Sequence, residues 1–219
     1  MGESPAVPEN PYVGPLPFTE TDPLFGRDVE KVELLNILIA ERIVLLYSPS
    51  GAGKTSLIQA GLLPELKVAH FRPLPIIRVN RVLEPAISPN RYVASAIAAL
   101  NTSRDGTATF PTAELTGLTL DGYLTRLESA APSGPGGVAD PVVLIFDQFE
   151  EILTADPTDL AAKEAFFAEV GAALQPRHRW ALFAMREEHV AALDPYLHLI
   201  PTRLAPTMSF SHESPTITT

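Results

Sequence analysis

The 219-residue sequence contains no cysteine, one tryptophan and fewer basic than acidic residues. Because cysteine is absent, disulfide bonds, thiolate metal sites and a cysteine nucleophile are excluded, and no oxidising compartment is required. The 16 Lys and Arg residues against 26 Asp and Glu give a formal net charge of −10. A chain with this charge repels the phosphates of nucleic acids unless its basic residues gather on one face.

One segment runs against this acidic balance. Between residues 67 and 91 the only acid is Glu84, and the basic residues there are Lys67, Arg72, Arg78, Arg81 and Arg91. We expect these side chains to flank a strand and to face solvent or pair with acids elsewhere in the chain. Nucleic acid binding is therefore not predicted.

Long hydrophobic runs are missing as well. The apolar run at residues 43–47 is far shorter than the roughly 20 residues that a membrane-spanning helix needs. The first 18 residues contain no basic stretch followed by an apolar run, so they do not resemble a secretory signal. A cytoplasmic protein without a membrane span is expected.

Hydrophobic residues make up 46% of the sequence, which is enough for one substantial core at this length. Residues 1–24 include six prolines, which cannot continue a helix or a central strand, and we expect an extended arm there. Residues 25–208 are predicted to form one folded domain. Residues 209–219 show no periodicity and are expected to form a flexible tail.

Helical and strand patterns alternate along residues 25–208, and this alternation predicts an α/β fold with a parallel sheet covered on both faces. The predicted helices are one from Asp28 to about Ala40, one after Thr55 that ends at Gly61 or Pro64, one at 91–100 capped by Asn90, a short one capped by Asp121, and those at 159–174 and 187–193. The predicted strands are Ile43–Tyr47, Pro75–Val79, Val142–Phe146, Trp180–Ala184 and an edge strand at Arg203–Met208.

The turn between the first strand and the next helix carries a phosphate-binding pattern. Residues 48–55 read S-P-S-G-A-G-K-T and match the P-loop pattern G-x-x-x-x-G-K-[ST] except at Ser48, which stands where the pattern has glycine. Backbone amides at such a turn, at the positive end of a helix, suit phosphate oxygens. The residues expected to bind the nucleotide are Ser50, Gly51, Ala52, Gly53, Lys54, Thr55 and Ser56. Serine at position 48 would be strained only if its φ were positive.

The acidic segment after the strand Val142–Phe146 supplies the second half of the predicted site. Asp147 is expected beside the P-loop, where its carboxylate and the Thr55 hydroxyl would order Mg²⁺. The next residue is Gln148, at a position where many ATPases have glutamate. Glu150 or Glu151 would orient the attacking water if the chain turns sharply after Asp147, with Glu150 favoured. Slow hydrolysis is expected.

Arg186 directly follows the segment WALFAM (residues 180–185), which contains the strand predicted at Trp180–Ala184. The carboxyl ends of parallel strands line the ligand crevice, so this guanidinium is expected to sense the γ-phosphate. The predicted catalytic group therefore consists of Lys54, Asp147, Glu150, Glu151 and Arg186.

Several segments together resemble the novel STAND group of signal transduction ATPases with numerous domains, relatives of AAA+ and apoptotic ATPases. These segments are NPYVGPLPF, FGRD, SPSGAGKTSLIQAGLLPEL, VVLIFDQFEEIL and MREEHVAALDPYL, within residues 10–208. The resemblance implies a P-loop NTPase of the ASCE type, a three-layer sandwich around a central parallel sheet of about five strands. It also implies that Phe25 and Arg27 lie near the adenine and that Arg186 is the sensor arginine.

What the resemblance implies about function is an ATP or ADP switch that depends on magnesium and hydrolyses ATP slowly. Members of this group continue into further sensor and effector regions, absent here, and self-associate on activation. A non-hydrolysing nucleotide-binding scaffold stays open because of Gln148 and Ser48, and a P-loop kinase acting on a small molecule is the third alternative. No N-K-x-D or T-K-x-D segment occurs, which argues against guanine specificity.

Overall fold

The computed structural model describes residues 26–80, 87–103, 106–130 and 140–210, together with the backbone of 215–218. The arm predicted at residues 1–24 lies outside these residues. The strands are β1 (Ile43–Ser48), β2 (Arg72–Pro73), β3 (Val142–Phe146), β4 (Arg179–Arg186), β5 (Thr207–Phe210) and β6 (Pro215–Thr218). The α-helices are α1 (Asp28–Glu41), α2 (Lys54–Ser56), α3 (Leu63–Val68), α4 (Arg91–Asn101), α5 (Leu120–Ser129), α6 (Glu151–Thr154) and α7 (Leu160–Ala173). In this part of the chain, no helix has the length and apolar character needed to cross a membrane.

The strands form one sheet in the order β2-β3-β4-β1-β5-β6. The first five are parallel, and β6 pairs antiparallel with β5 at the edge. The strand that precedes the P-loop, β1, therefore lies between β4 and β5, and β4 separates it from the strand that ends before Asp147. The predicted α/β fold with about five parallel strands around a P-loop strand is confirmed.

Two hydrophobic clusters cover the two faces of the sheet, because neighbouring residues of a strand point to opposite sides. Val44 and Leu46 of β1 join the first cluster with α1 and the helical segments after the P-loop. Ile43 and Leu45 join the second cluster, where α4, α5 and α7 pack. The resulting helix–sheet–helix layers fix the positions of the carboxyl ends of the central strands relative to one another.

The helix after the P-loop is longer than the sequence predicted. A π-helical segment (Leu57–Leu62) joins α2 to α3, so that the helical path continues past Gly61 and Pro64 to Val68. Pro64 falls in the first turn of α3, where a missing backbone N–H is tolerated. The expected break at Gly61 or Pro64 is therefore wrong.

The second strand also differs from its prediction at Pro75–Val79. Pairing with β3 is confined to β2 and to an isolated bridge between Ile77 and Phe146. The prolines at 73 and 75 have no N–H to donate to a ladder, which limits continuous pairing. The bridge nevertheless carries the chain along β3 as far as Arg78.

The last parallel strand begins later than predicted. Arg203 and Leu204 have positive φ values of 53° and 52°, so they form a turn, and β5 starts at Thr207. Residues 215–218, placed by the sequence in a flexible tail from 209, instead pair with β5 as β6. The β-branched residues at 216–218 favour an extended strand, and an edge offers unpaired backbone groups to it. Consequently β5 is not the edge strand.

One predicted helix cap is confirmed, a second is wrong, and one predicted helix is of a different type. Asn90 caps α4 as predicted, with its side-chain oxygen accepting from the amides of Tyr92 and Val93. At α5 the cap is Thr119, whose hydroxyl accepts from the amide of Gly122, and Asp121 contacts an arginine instead. The segment after β4 is a 3₁₀ helix (Glu187–Leu199) rather than a short α-helix.

Candidate functional site

A crevice opens at the carboxyl ends of β1, β3 and β4, where open parallel sheets bind their ligands. Residues from the P-loop, from the turn after β3 and from the end of β4 line it. They are Ser50, Gly51, Gly53, Lys54, Thr55, Asp147, Gln148, Glu150 and Arg186. Three segments that are distant in sequence therefore converge on one site.

The P-loop turn depends on its glycines. Gly51 and Gly53 have φ values of 78° and 87°, a left-handed conformation that strains other residues. No atom lies within 4 Å of a Cβ built on Gly51, so the requirement there is conformational rather than steric. Among the described residues, Ser48 is not one of those with positive φ. Serine in place of the first glycine therefore leaves the loop unstrained.

Lys54 begins the helix after the loop, and its ammonium folds back onto β1. Its Nζ donates to the Ser48 carbonyl oxygen and to Ser48 Oγ, both at 2.9 Å, and lies 3.2 Å from the Pro49 carbonyl oxygen. Burial lowers the pKa of Lys54, against the opposing effect of Glu150, Asp147 and Glu188. The lysine is thus held at the mouth of the loop, where phosphate oxygens are the partners that a P-loop lysine takes.

Asp147 lies directly across the crevice from Thr55. Its carboxylate is almost fully buried, with 2% of the side chain exposed. The Thr55 hydroxyl donates to it, with Oγ1 3.0 Å from Oδ2 and 3.2 Å from Oδ1. Arg78 also reaches this carboxylate, with Nη2 3.2 Å from Oδ2. A buried carboxylate without such partners would be strongly unfavourable.

The Thr55 hydroxyl and the Asp147 carboxylate are oxygen donors of the kind that magnesium prefers. In this structure they are joined to each other by the hydrogen bond of 3.0 Å between Thr55 Oγ1 and Asp147 Oδ2. Among the described residues there is no group of three His, Cys, Asp or Glu side chains placed for a metal. A site of this kind would be completed by phosphate oxygens and water rather than by protein alone.

The chain turns sharply after Asp147. Such a turn was expected to be necessary for Glu150 or Glu151 to approach the crevice. Gln148 has a positive φ of 56°, and Phe149 then donates its amide to the Ala184 carbonyl oxygen at 2.9 Å. The turn brings Glu150 back to the crevice. Non-glycine residues in this conformation cost free energy and occur often at functional sites.

Glu150 pairs with Arg186 at the end of β4. Its Oε1 lies 3.2 Å from Arg186 Nε, and its Oε2 accepts from the Arg186 backbone amide at 3.3 Å. The side chain of Glu150 is 9% exposed and that of Arg186 is 49% exposed. The carboxylate is therefore fixed, whereas the guanidinium reaches solvent on one side.

Glu151 begins α6 and is not among the residues that line the crevice. Burial raises the pKa of Glu151, and the nearby Arg78 opposes that shift. Of the two glutamates that the sequence proposed, Glu150 is the one that the structure brings together with Lys54, Asp147 and Arg186.

The other residues predicted to bind the nucleotide take different positions. Arg27 lies behind the P-loop: its Nη2 donates to the Ala52 carbonyl oxygen at 2.9 Å, and its guanidinium stacks 5.0 Å from the centre of the Phe210 ring. Within the described part of the chain, Ala52 and Ser56 also stay outside the lining of the crevice. Phe25 lies outside the described residues.

Comparison with protein families adds a decisive observation to this geometry. The model of the novel STAND NTPase 1 family matches residues 11–209. The chain belongs to the novel STAND NTPase 1 family. The resemblance noted from the P-loop and the DQFEEIL segment is thereby confirmed. A search among curated proteins found no match.

Two solved structures have a fold similar to that of this STAND domain. A Walker-type ATPase of Pyrococcus abyssi matches with a TM-score of 0.56 and 15% identity, over 85% of this chain and 51% of its own. The ORC2 protein of Aeropyrum pernix, solved as ADPNP–ADP complexes, matches with a TM-score of 0.53 and 13% identity, over 85% and 48%. The chain spans about half the length of these two proteins. Family and fold together identify the STAND domain as a P-loop NTPase nucleotide-binding domain.

One residue of the site was missed by the sequence reasoning. Arg78 was grouped with the basic residues between 67 and 91, which were expected to face solvent or pair with acids elsewhere in the chain, and it was not named as a partner of Asp147. A strand predicted to continue to Val79 placed Arg78 inside it, whereas the bridge of Ile77 to Phe146 places it one residue beyond. Sequence position could have indicated this contact. When two parallel strands pair, the residue that follows one strand lies next to the residue that follows the other, as Arg78 and Asp147 do.

Proposed function

We propose that this STAND domain binds ATP and ADP together with Mg²⁺ and works as a slowly hydrolysing nucleotide switch. The observation that carries the proposal is the convergence of the P-loop, Asp147, Glu150 and Arg186 on a single crevice. The ADPNP–ADP complexes of the ORC2 protein support an adenine nucleotide as the ligand of this fold.

The phosphates would be held by backbone amides of the P-loop at the positive end of the helix that begins at Lys54. Lys54 would exchange its contacts with Ser48 and Pro49 for phosphate oxygens. Thr55 and Asp147 would hold the magnesium ion, which would supply positive charge to offset that of the phosphates. All these groups already face one another across the crevice.

The metal assignment is tested by the variant Asp147→Asn. In calorimetric titrations with ADP, wild type should bind more tightly with MgCl₂ than with EDTA, and Asp147→Asn should lose most of that difference. A charged hydrogen-bonding group contributes about 1.5–3 kcal/mol, equivalent to roughly ten- to a hundredfold in affinity. Equal magnesium dependence in the variant would refute the role of Asp147.

Hydrolysis in this proposal depends on Glu150 as the group that orients the attacking water. Because its carboxylate is occupied by Arg186, turnover should be slow in the isolated domain. Phosphate release without any added acceptor should fall at least tenfold in Glu150→Gln, and the matched variant Glu151→Gln should change it little. Release that survives Glu150→Gln and disappears in Glu151→Gln would reverse the assignment.

A non-hydrolysing scaffold is the second candidate. It is favoured by one observation, namely that Gln148 rather than an acid follows Asp147 and lines the crevice. The scaffold predicts nucleotide binding with no phosphate release in wild type, so the same assay separates the two. A kinase would transfer the phosphoryl group of ATP to an added acceptor and would release no free phosphate.

The switch would act with sensor and effector regions outside residues 1–219, and would self-associate on activation. If so, light scattering should detect a larger species with a non-hydrolysable ATP analogue than with ADP once those regions are present. An unchanged mass would contradict the self-association.

A further inference from the structure

We propose that Arg78 is a built-in counter-ion of Asp147 that a divalent cation must displace, so that this arginine weakens the metal dependence of nucleotide binding. The inference rests on the proposed function, because it takes Asp147 as the metal carboxylate. It assigns a role to a residue from the basic segment that the nucleotide site otherwise leaves unexplained.

The backbone holds Arg78 beside Asp147. The Ile77 amide donates to the Ile145 carbonyl oxygen at 2.8 Å, and the Asp147 amide donates to the Ile77 carbonyl oxygen at 3.0 Å. Both bonds are made by Ile77, the residue before Arg78, and they join this segment to the end of β3 and to Asp147. The proximity of the two charged side chains is therefore built into the sheet edge and does not depend on a mobile loop.

The contact involves the same carboxylate oxygen that a metal would share with Thr55. Asp147 Oδ2 lies 3.2 Å from Arg78 Nη2 and is also the oxygen nearer to the Thr55 hydroxyl, at 3.0 Å. A divalent cation bound to Oδ2 would meet a guanidinium within a few ångströms, and two like charges at that distance repel. The cation and Arg78 therefore compete for one oxygen.

Burial shows which partner yields. The Asp147 side chain is 2% exposed and cannot leave its position, whereas the Arg78 side chain is 43% exposed and can swing its head group into solvent. In the metal-free domain Arg78 supplies the positive charge that a buried carboxylate requires. On metal binding it would move out, and the lost contact would reduce the gain that magnesium brings.

The test measures ADP affinity in MgCl₂ and in EDTA by calorimetry. Its readout is the dissociation constant in EDTA divided by the dissociation constant in MgCl₂. Arg78→Gln should raise this ratio by about three- to fivefold, in the range expected for a half-exposed ion pair. Arg78→Lys keeps the charge and should stay within about twofold of wild type. Arg72→Gln is the matched control: Arg72 belongs to the same basic segment but pairs in register with Val142, at the opposite end of β3.

Three results would overturn the inference. The first is a ratio in Arg78→Gln that is unchanged or smaller than in wild type. The second is a loss of ADP affinity in Arg78→Gln that is equal with and without magnesium, because that result makes Arg78 a phosphate ligand. The third is a ratio of one in wild type, which overturns the metal assignment as well. If Asp147→Asn abolishes the magnesium effect and Arg78→Gln leaves it unaltered, the inference fails alone and the proposed function stands.

Discussion

Two arginines at opposite ends of β4 show how differently one strand uses the same side chain. At the amino end, Arg179 is 1% exposed and its guanidinium contacts Glu128, Asp121, Thr125 and the Ala173 carbonyl oxygen. At the carboxyl end, Arg186 is half-exposed and its side chain pairs with one carboxylate. At the amino end, the charge of Arg179 is neutralised by partners within the protein. At the carboxyl end, Arg186 remains able to exchange its carboxylate partner for a ligand. That difference separates a structural end of the sheet from a ligand-binding end.

The largest effect is expected from breaking the amino-end cluster. Arg179→Met should lower the free energy of unfolding by about 3 kcal/mol, because it removes the charged hydrogen bonds of a buried guanidinium and leaves half-buried Glu128 without its main partner. Urea unfolding followed by circular dichroism measures the change. Arg177→Met, two residues away on the surface, is the control and should stay within about 0.5 kcal/mol of wild type. A comparable loss in both variants would show that burial of Arg179 is not the cause.

The matching substitution at the carboxyl end should act on ligand choice instead. Arg186→Gln should change the free energy of unfolding by less than about 1 kcal/mol, because the Arg186 side chain is half-exposed and Glu150 keeps its hydrogen bond from the Arg186 backbone amide. Its preference for a non-hydrolysable ATP analogue over ADP should fall about tenfold if the guanidinium meets the γ-phosphate. Calorimetric titration of both nucleotides gives this ratio, and an unaltered ratio would count against the sensor role.

A pH titration sharpens the same comparison. Burial alone would raise the pKa of Glu128, but hydrogen bonds and charge from Arg179 outweigh it and leave that pKa below its ordinary value of 4.5. The stability that Glu128 provides is therefore complete above pH 4.5 and is lost as the pH falls through the lowered folded value. Glu128→Gln should flatten the acid side of the stability profile by up to about 1 kcal/mol. Identical acid profiles for wild type and variant would argue against this linkage.

The smallest effect is expected from a substitution of Ser48, the first residue of the P-loop. Ser48→Gly removes one of the three oxygens that hold the Lys54 ammonium, so the lysine should be freer to meet phosphate. ADP affinity in calorimetry should rise about two- to threefold, equivalent to roughly 0.5 kcal/mol. A weaker affinity would indicate that the Ser48 hydroxyl orients Lys54 towards the ligand.

Local patterns in the sequence predicted much of this fold. The strand before the P-loop and the Asn90 cap depend on neighbouring residues alone, and both appear as predicted. Failures arose where a distant partner decides the outcome. Residues 215–218 lack a helical or core pattern, yet β5 pairs with them, and Pro64 is accommodated by a π-helical segment that no local rule predicts.

The same division holds for the site. The P-loop glycines were recognised because their spacing and conformation belong to one turn. The contact of Arg78 with Asp147 joins segments that the chain separates widely, and it depends on the bridge between Ile77 and Phe146. Similarly, the preference for Glu150 over Glu151 depends on the left-handed conformation of Gln148. The identity of a glutamine residue does not predict that conformation.

Nucleotide binding at the P-loop is the central claim, and the variant Lys54→Ala tests it most directly. Lys67→Ala is the control, because Lys67 lies exposed near the far end of the same helical path. Calorimetric titration with ADP and MgCl₂ should show at least a tenfold loss of affinity in Lys54→Ala, the effect of about 1.4 kcal/mol or more from one charged contact, and no loss in Lys67→Ala. Equal affinity in wild type and Lys54→Ala would contradict the claim.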